Sequence, residues 1–510
     1  MGFPTAVAAS VRSPGFYLLV NLLAGTTSLG AAPLRGCIMG VIGAGGDLTA
    51  DTELRQAIAG PDAAGTAFLP GMPGHLAAKR CFEEHPLALV DIIGVAPPAG
   101  VAAAGTFTFL LGTPPVTTAV IFDFLIAGRP KEISWNPGES LTTVAAKVAA
   151  YYTSITADLP CLVTSSLGVV NVVCKEEGTY GNDIEISVTR RSGGLPADAT
   201  CSASGARLTG GTLTSDISTA LGTIAGQEYD FILCVVGGNT DTNTAGSTSC
   251  PSRVATHIET YQTGADAKLQ QAIFGVTGTL ANAKTGTAYQ NDVNLQHILG
   301  RGYLSLPCEV GGAELGRRLR MEADDPTVNA NGTAYKAQLY PPANLVTGAL
   351  TAIEREDALQ SGVTTIVHNT SGVPLVDRPI TTHFKDDAGN ADDRCIDVSV
   401  PSGTYRFAKR LRVTIPQEFR GAKLSRNLVE GDDPLPPGTV EVREIQQFVI
   451  GEARAFVALG WFDQTFINAA IANDEFVARV NPSDARQCDL VIPTRTSAPY
   501  LKTSAVVNAV

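Results

Sequence analysis

Cys37-Ile38-Met39-Gly40-Val41-Ile42-Gly43 is an apolar run that ends in glycine, and its length and composition are typical of a buried β-strand. A helical pattern follows at 74–84, and a second apolar run occupies 87–95. The succession of strand, helix and strand is typical of an α/β sheet. The sequence therefore predicts an α/β domain that begins near residue 26 and continues to residue 95.

The pattern changes after residue 95 to short strands separated by turns, with one helix near 141–153. From residue 216 onward, helices again alternate with buried strands, which we expect at 229–236, 271–276 and 302–306. The predicted fold class is thus α/β plus β. A discontinuous α/β domain is formed by 26–95 and 212–393, and a β-sandwich-like domain is inserted at 96–211.

A mixed α+β domain is predicted at 394–487, and both ends of the chain read as extended apolar arms, 1–25 and 488–510. Isolated extended segments leave backbone N–H and C=O groups unpaired, so such arms favour joining sheets of neighbouring subunits. The arm residues expected to make these contacts between subunits are Pro14, Gly15, Phe16, Tyr17, Val20, Val491, Ile492, Tyr500 and Leu501.

The composition describes a globular protein with many turns. The chain has 510 residues, which at about 150 residues per domain corresponds to three or four domains. Hydrophobic residues make up 44% and charged residues 17%, while 52 glycines and 30 prolines argue against an all-helical fold. A net charge of −12 makes the chain a poor candidate for binding nucleic acid or an anionic membrane.

No apolar stretch reaches the roughly 18 residues of a membrane helix, since the best candidate, 16–24, is interrupted by Asn21. The N-terminus lacks the basic start and the apolar segment of a secretory signal. We therefore expect a protein that is made and folded in a cytoplasm, without insertion into a membrane.

Motifs that carry chemistry are not found. Residues 40–46 (GVIGAGG) resemble a dinucleotide-binding loop, but the next helix does not begin at the last glycine and no acidic residue follows about 20 residues later. The sequence has no phosphate-binding loop, nucleophile elbow, zinc-protease motif or EF-hand loop. The six histidines have no partner at metal-ligand spacing. We expect no catalytic residue, no metal and no cofactor.

The segment 405–426 stands out by its charge, because it contains many basic residues and a single acidic residue, Glu418. Those proposed for contact with a partner are Lys409, Arg410, Arg412, Arg420 and Lys423. One interpretation is a solvated helix face, and the other is a surface for an acidic partner. Sparse aromatic residues make nucleic acid the weaker candidate for that partner.

Several stretches of this chain occur in an order and spacing found together in one family. They are 13–21 (SPGFYLLVN), 178–184 (GTYGNDI), 208–211 (LTGG) with 228–232 (EYDFI), 354–364 (EREDALQSGVT), 376–382 (VDRPITT) and 393–398 (DRCIDV). In these stretches the chain resembles the contractile tail sheath proteins of long-tailed bacteriophages, in particular the Mu-like branch. Pro379 departs from the family, which often has alanine there, and the number of cysteines is unusual.

The resemblance implies a subtilisin-like α/β domain without a working catalytic triad. It also implies a structural protein of the virion that stacks as hexameric rings around a tail tube and contracts to drive the tube through the host envelope. The implied partners are other copies of the chain, the tail tube protein, which the basic segment would face, and the baseplate and tail terminator proteins. A shell or surface-layer protein and a hydrolase with unrecognised catalytic residues are the alternatives.

Ten cysteines are spread along the chain without a CxxC pair, which argues against a zinc site. Cys161 and Cys174 fall opposite one another if Leu167-Gly168 is a two-residue hairpin loop, and they could then form a disulfide. Cys37 and Cys488 are the better candidates for bonds between subunits, with Cys308 and Cys395 as further candidates. The alternative is that most cysteines are small buried hydrophobic residues.

Overall fold

The computed structural model describes residues 34–497, apart from 112–115, 192–197, 264–266, 343, 429–432 and 485. In these ranges the strands are β1 (Arg35–Val41), β2 (Leu54–Arg55), β3 (Leu89–Val95), β4 (Ala102–Leu110), β5 (Val120–Ile126), β6 (Arg129–Trp135), β7 (Cys161–Ser166), β8 (Val169–Glu177), β9 (Ile186–Arg190), β10 (Thr200–Ala203), β11 (Phe231–Cys234), β12 (Gln271–Val276), β13 (Leu295–Leu299), β14 (Val363–His368), β15 (Pro374–Val376), β16 (Lys423–Ser425), β17 (Thr439–Glu441), β18 (Val477–Val480) and β19 (Cys488–Val491).

The helices of the same ranges are α1 (Pro61–Phe68), α2 (Pro73–Glu84), α3 (Leu141–Ser154), α4 (Ser218–Ile224), α5 (Gly238–Thr242), α6 (Cys250–Tyr261), α7 (Leu280–Gln290), α8 (Pro307–Met321), α9 (Leu345–Gly348), α10 (Ala352–Leu359), α11 (Ser399–Glu418), α12 (Val442–Ala458) and α13 (Gln464–Ala472). None of the described helices has both the length and the apolar character needed to cross a membrane.

The centre of the molecule is an eight-stranded sheet in the order β15-β14-β13-β12-β11-β1-β3-β2. The six strands from β14 to β3 are parallel, and the short strands β15 and β2 are antiparallel to their neighbours. The parallel strands are almost continuously buried, as expected for a sheet with helices on both faces. The predicted mixed α/β class is therefore confirmed.

Helices cover both faces of this sheet. On β13, Gln296 donates a hydrogen bond to Glu314 of α8, whereas the ring of His297 lies near Gly286 of α7 on the other face. The helices α2 and α8 pack closely against each other, because a Cβ at Gly312 would collide with the backbone carbonyl of Ala77. Glycine at this position allows the two backbones to approach.

The strands between residues 102 and 203 lie outside the large sheet, in a four-stranded sheet, β10-β4-β8-β7, and a three-stranded sheet, β6-β5-β9. The two sheets contact each other through aromatic side chains. Phe107 packs edge to face on Phe124 at 5.2 Å, and Phe109 contacts Phe122 and Trp135 at 5.8 Å. Helix α3 begins at its N-cap Ser140 and completes this core with the side chains of one face.

We call the part of the chain at 102–203, which forms the two smaller sheets and α3, the β unit. The β unit and the C-terminal helices lie at opposite ends of the parallel strands. Asp183 of the β unit accepts a hydrogen bond of 2.6 Å from the backbone N–H of Asn239, just beyond the carboxyl end of β11. Helix α11 instead contacts the amino ends of β11 and β12, since Lys409 pairs with Asp230, just before β11, and Ser402 accepts from Gln271, the first residue of β12. The large sheet thus separates the two outer units.

The C-terminal residues form a core of their own. Phe407 of α11 packs on Phe456 of α12 with ring centroids 4.6 Å apart, and Phe462 joins them at 5.5 Å. The strands β18 and β19 form an antiparallel pair beside this core.

One predicted strand is wrong. Residues 302–306 form a turn that leads into α8, and the strand lies earlier, at Leu295–Leu299. Its polar residues Gln296 and His297 are both buried, which hides the strand from an apolar pattern.

Candidate functional site

The stretches 354–364, 376–382 and 393–398 meet at one end of the large sheet, around α10 and β14. Helix α10 is closed by a capping box, in which Thr351 accepts from the N–H of Glu354 and Glu354 accepts from the N–H of Thr351. Glu354 also pairs with Arg301 at 2.6 Å, and Arg355 pairs with Asp377 at 3.3 Å. These contacts hold the helix to the loop after β13 and to the second stretch.

The residues between α10 and β14 form the turn that leads into the strand and determine its position. Gly362 has a φ of +74°, and a Cβ there would lie 2.7 Å from the carbonyl oxygen of Thr382. Two residues later, the Thr364 hydroxyl donates to the carbonyl of Ile380 at 3.0 Å and accepts from the N–H of Ile380 at 2.9 Å. The 376–382 stretch thus begins at the end of the β14–β15 ladder, where Val376 pairs with Ile366, and continues beside β14 through these Thr364 hydroxyl contacts.

The third stretch binds to the second through both backbone and side chains. The Thr381 N–H donates to the carbonyl of Ile396 at 2.7 Å, and the Thr381 hydroxyl donates to the carbonyl of Cys395 at 2.9 Å. Arg378 makes a bidentate pair with Asp397, with N···O distances of 2.7 and 2.9 Å. We call the residues 354–364, 376–382 and 393–398 the junction network. Because α11 begins at Ser399, the network connects the large sheet to the C-terminal unit.

A histidine and a carboxylate at the edge of this network have a spacing that could suit acid–base chemistry. His383 Nε2 lies 3.1 Å from Asp392 Oδ2. The guanidinium of Arg394, which bonds both Asp392 oxygens, holds the pKa of this carboxyl well below its usual range. Asp392 is thus already neutralised by an arginine, and the arrangement is that of a structural link. Within the described ranges, no group of three or more His, Cys, Asp or Glu side chains is placed to hold a metal ion.

The basic segment needs correction, because three of its five proposed partner-facing residues are paired within the chain. Lys409 lies 2.8 Å from Asp230 and 3.4 Å from Glu228, Arg412 pairs with Glu228, and Arg410 pairs with Glu452 of α12 at 3.2 Å. These cations hold α11 against the edge of the sheet and against α12. Arg410, Arg420 and Lys423 are exposed, whereas Lys409 and Arg412 are half-buried.

The C-terminal arm also needs correction at its start. Val491 pairs with Val477 in the β18–β19 ladder, and Ile492 packs against the C-terminal core. Both residues are therefore part of the folded unit of their own chain. The other proposed arm residues, Pro14, Gly15, Phe16, Tyr17, Val20, Tyr500 and Leu501, lie outside the described residues.

The hairpin predicted around Cys161 and Cys174 is confirmed. Leu167 and Gly168 form the turn with φ angles of +50° and +83°, which suit a type I′ turn, and Cys161 lies directly opposite Cys174. The next pair outward carries the hydrogen bond from the Lys175 N–H to the Pro160 carbonyl, so the two cysteines form a non-hydrogen-bonded pair. Both thiols are buried and free, and their disulfide stays a prediction.

The cysteines proposed for bonds between subunits are corrected in part. Cys37 lies in the middle of the large sheet with no exposed surface, and Cys308 and Cys395 are also buried. Cys308 accepts a hydrogen bond of 3.0 Å from the Tyr180 hydroxyl. Burial removes these three thiols from contact with another chain, and of the four proposed cysteines only Cys488 is partly exposed.

Sequence patterns missed a buried ion cluster between the β unit and the large sheet. Glu309 of α8 lies 2.6 Å from Arg80 of α2 and 2.8 Å from Arg129, the first residue of β6. Burial raises the pKa of Glu309, but the two guanidinium groups outweigh burial and hold that pKa at about 2. The three residues are far apart in the sequence, so no local pattern connects them.

No protein-family model and no curated protein matches the sequence. The structure is similar to the sheath tail protein Lin1278 from Listeria innocua, with a TM-score of 0.40 and 11% identity over 87% of this chain and 88% of that one. For the sheath tail protein DSY3957 from Desulfitobacterium hafniense the TM-score is 0.41 and the identity 11%, over 94% and 99% of the chains. For the contracted helical sheath of the anti-feeding prophage the TM-score is 0.43 and the identity 8%, over 98% and 99%.

Proposed function

We propose that this chain is a structural subunit of a contractile tail sheath, which assembles around a tail tube and shortens to drive the tube through a host envelope. The observation that carries the proposal is the junction network. Three of the stretches in which the sequence resembles sheath proteins lie apart along the chain and form one set of ion pairs and hydrogen bonds. A set of residues that acts as one unit supports the resemblance better than separate short matches do.

The proposed domains are those expected from the sequence, with one change: a subtilisin-like α/β domain from 26–95 and 212–393, an inserted β domain at 96–211, and a C-terminal domain that starts at 394 and includes β19 and Ile492 in addition to the expected 394–487. Two features support them. The strand order places β1 and β3 beside β11, so that chain from both sides of 96–211 shares one sheet. Among the described residues of 96–211, the strands pair only with one another in the two smaller sheets.

A structural role is also supported by what covers the carboxyl ends of the parallel strands. Open α/β sheets usually bind their ligands at this edge. Here three residues of the β unit make contacts at this edge: Arg129 with Glu309, Asp183 with Asn239, and Tyr180 with Cys308. The chain thus uses this edge for contacts between its own units.

The proposed partners are further copies of the chain in stacked six-membered rings, the tail tube, and the baseplate and terminator at the two ends of the tail. For the tube-facing surface we retain Arg410, Arg420 and Lys423, which are exposed on α11 or just after it. The proposed location is the tail of a virion, after synthesis in the host cytoplasm.

The arms provide the test of the proposal. Deletion of 1–20 or of 498–510 should leave the far-UV circular dichroism nearly unchanged and abolish the rods or rings that the full chain forms in negative-stain images. Tyr17→Asp should weaken assembly, whereas the matched control Tyr17→Phe should assemble normally.

Other images would contradict the proposal. Flat lattices would point to a shell or surface-layer protein, and a monodisperse monomer with hydrolytic activity would point to an enzyme. Long tubes formed by the truncated chains would show that the arms are not the links between subunits.

A further inference from the structure

One exposed face of the four-stranded sheet in the β unit has an unusual composition. The ladders place alternate residues of β4, β7, β8 and β10 on this outer face. Its residues are Ala104, Thr106, Thr108, Leu110, Leu162, Thr164, Ser166, Val169, Asn171, Val173, Thr200 and Ser202. None of these twelve side chains carries a charge. We call this surface the neutral face.

The neutral face is open to solvent, whereas the opposite face of the same strands is buried. Leu110 and Leu162 are 57% and 55% exposed, and Val173 is 36% exposed. On the other side, Phe107 and Val172 have no exposed surface. The neutral face ends on β8 at two charged residues of the same side, the exposed Glu177 and Lys175, which donates to the carbonyls of Pro70 and Thr156 at the border with the large sheet.

The side chains of the neutral face argue against several kinds of partner. The face has no lysine or arginine to attract nucleic acid, an anionic membrane or an acidic protein. It also has no aromatic ring on which a sugar or a base could stack. A partner that fits must therefore be a largely uncharged protein surface.

A second copy of this chain satisfies that condition with its own neutral face or with another uncharged patch. Each copy has a net charge of −12, so contacts between most parts of two copies bring like charges together. Contact through the neutral face avoids that repulsion. Threonine and valine have restricted χ1 angles, so these side chains lose little conformational freedom when a partner covers them. An exposed face of a β-sheet can also pack on another sheet, as sheets commonly do in proteins.

We propose that the neutral face is a contact surface between copies of this chain, centred on the row Thr164, Asn171 and Thr106 across β7, β8 and β4. The inference rests on the proposed function, since a subunit of a polymer is what requires such a surface. It goes beyond that function, because assembly through the arms alone would not require a contact surface on the β unit.

A charge placed on the row tests the proposal. In the full chain, Thr106→Lys/Thr164→Lys should weaken self-association in sedimentation velocity by about tenfold or more, because burying an unpaired ammonium is costly. The matched control is Thr189→Lys, an exposed threonine on β9 of the other sheet, which should associate like the unmodified chain. Circular dichroism reports whether each variant folds.

Hydroxyl-radical footprinting of the unmodified chain gives a second measurement that needs no variant. Oxidation of Leu162 and Leu110 should slow several-fold in homopolymers relative to the unassembled chain. Polymers in which both leucines stay as reactive as before, together with normal association of the lysine variant, would overturn this proposal and leave the sheath function standing. A chain that stays monomeric at every concentration would overturn both. Protection that appears only in particles containing other proteins would assign the face to a different partner and also overturn it.

Discussion

Glu309 shows at the scale of a single residue how the β unit is attached to the rest of the chain. Its carboxylate has no exposed surface, and it is bonded by Arg80, Arg129 and the N–H of Leu306. A buried carboxylate of this kind is costly to desolvate, and removing it takes the acidic partner from the buried Arg129 and leaves Arg80 with Glu83. The cluster is therefore more important for specifying how the two units fit together than for adding net stability.

The intact cluster adds little net stability, but the loss of one member is costly, and the residue-scale prediction follows from this difference. Glu309→Gln should lower the free energy of unfolding by about 3–5 kcal/mol, measured by denaturant titration. The control is Glu132→Gln, which breaks the half-exposed pair with Arg191 and should leave the free energy of unfolding nearly unchanged. Equal losses for the two variants would mean that the buried cluster has no special role.

His297 predicts how stability depends on pH. Its ring is fully buried, neither ring nitrogen has a hydrogen-bond partner among the described residues, and burial lowers its pKa to about 3. The unfolded chain binds this proton near pH 6.5 and the folded chain only near pH 3. The contribution of His297 to stability is therefore fully present above pH 6.5, where the ring is neutral in both states, and is lost as the pH drops from 6.5 to 3.

His297→Phe should make this fall shallower by up to about 1.4 kcal/mol per pH unit, the contribution of one proton. Phe274 is the aromatic neighbour at 5.4 Å, so a phenyl ring can replace the imidazole with similar packing. Urea titrations at several pH values between 4 and 7 measure the slope. An unchanged slope in the variant would show that His297 is not the group responsible.

At the scale of elements, the position of α11 explains why its positive charge was misassigned. A sequence shows the cations of the segment but not the acidic residues that fold against them. Glu228 and Asp230 precede β11, far from α11 along the chain, and they reach Lys409 and Arg412 only when the sheet has formed. The β7–β8 hairpin, in contrast, depends on neighbours close in sequence, and the two-residue turn at Leu167-Gly168 predicted which residues of the two strands lie opposite each other.

Because cations of α11 pair within the chain, we expect substitution of a paired cation to lower the stability of the chain. The sequence alone predicted that such a substitution would instead weaken assembly. Arg412→Glu should destabilise the isolated chain by about 2 kcal/mol, because it places a third carboxylate beside Glu228 and Asp230. Arg420→Glu, at the exposed end of the same segment, should leave the melting temperature within about one degree and instead affect binding to the tube. Thermal unfolding of both variants separates the two roles.

The β7–β8 hairpin predicts a disulfide that forms within one chain. Opposed residues of a non-hydrogen-bonded pair have Cα atoms about 4.5 Å apart, which is within the range that a disulfide spans. On treatment with oxidised glutathione after transient unfolding, peptide mapping should find Cys161 linked to Cys174 and no link between chains through Cys37, Cys308 or Cys395. A multimer ladder that persists in Cys488→Ser would contradict this expectation.

At the scale of the whole molecule, local patterns indicated most elements and not their spatial arrangement. The return of α/β alternation after residue 216 predicted that two separate parts of the chain share a sheet, and the strand order agrees. The placement of the β unit at one edge and α11 at the other depends on contacts such as Arg129–Glu309 and Lys409–Asp230. Such pairs join residues of ordinary type at long separation, so composition and spacing could not reveal them.

The central position of β1 in the large sheet has a consequence for the order of events during synthesis. One edge of β1 pairs with β3, but the other must wait for β11, and the bond from Arg35 to Asp230 joins residues 195 apart. At translation rates of roughly 5 to 20 residues per second, that apolar edge stays unpaired for roughly 10 to 40 seconds. Meanwhile the strands of the β unit can pair locally. Nascent chains arrested once residue 211 has left the ribosome should therefore contain a protease-resistant fragment near 96–211 attached to a digestible 34–95, and an exposed strand edge of this kind is where a chaperone would bind first.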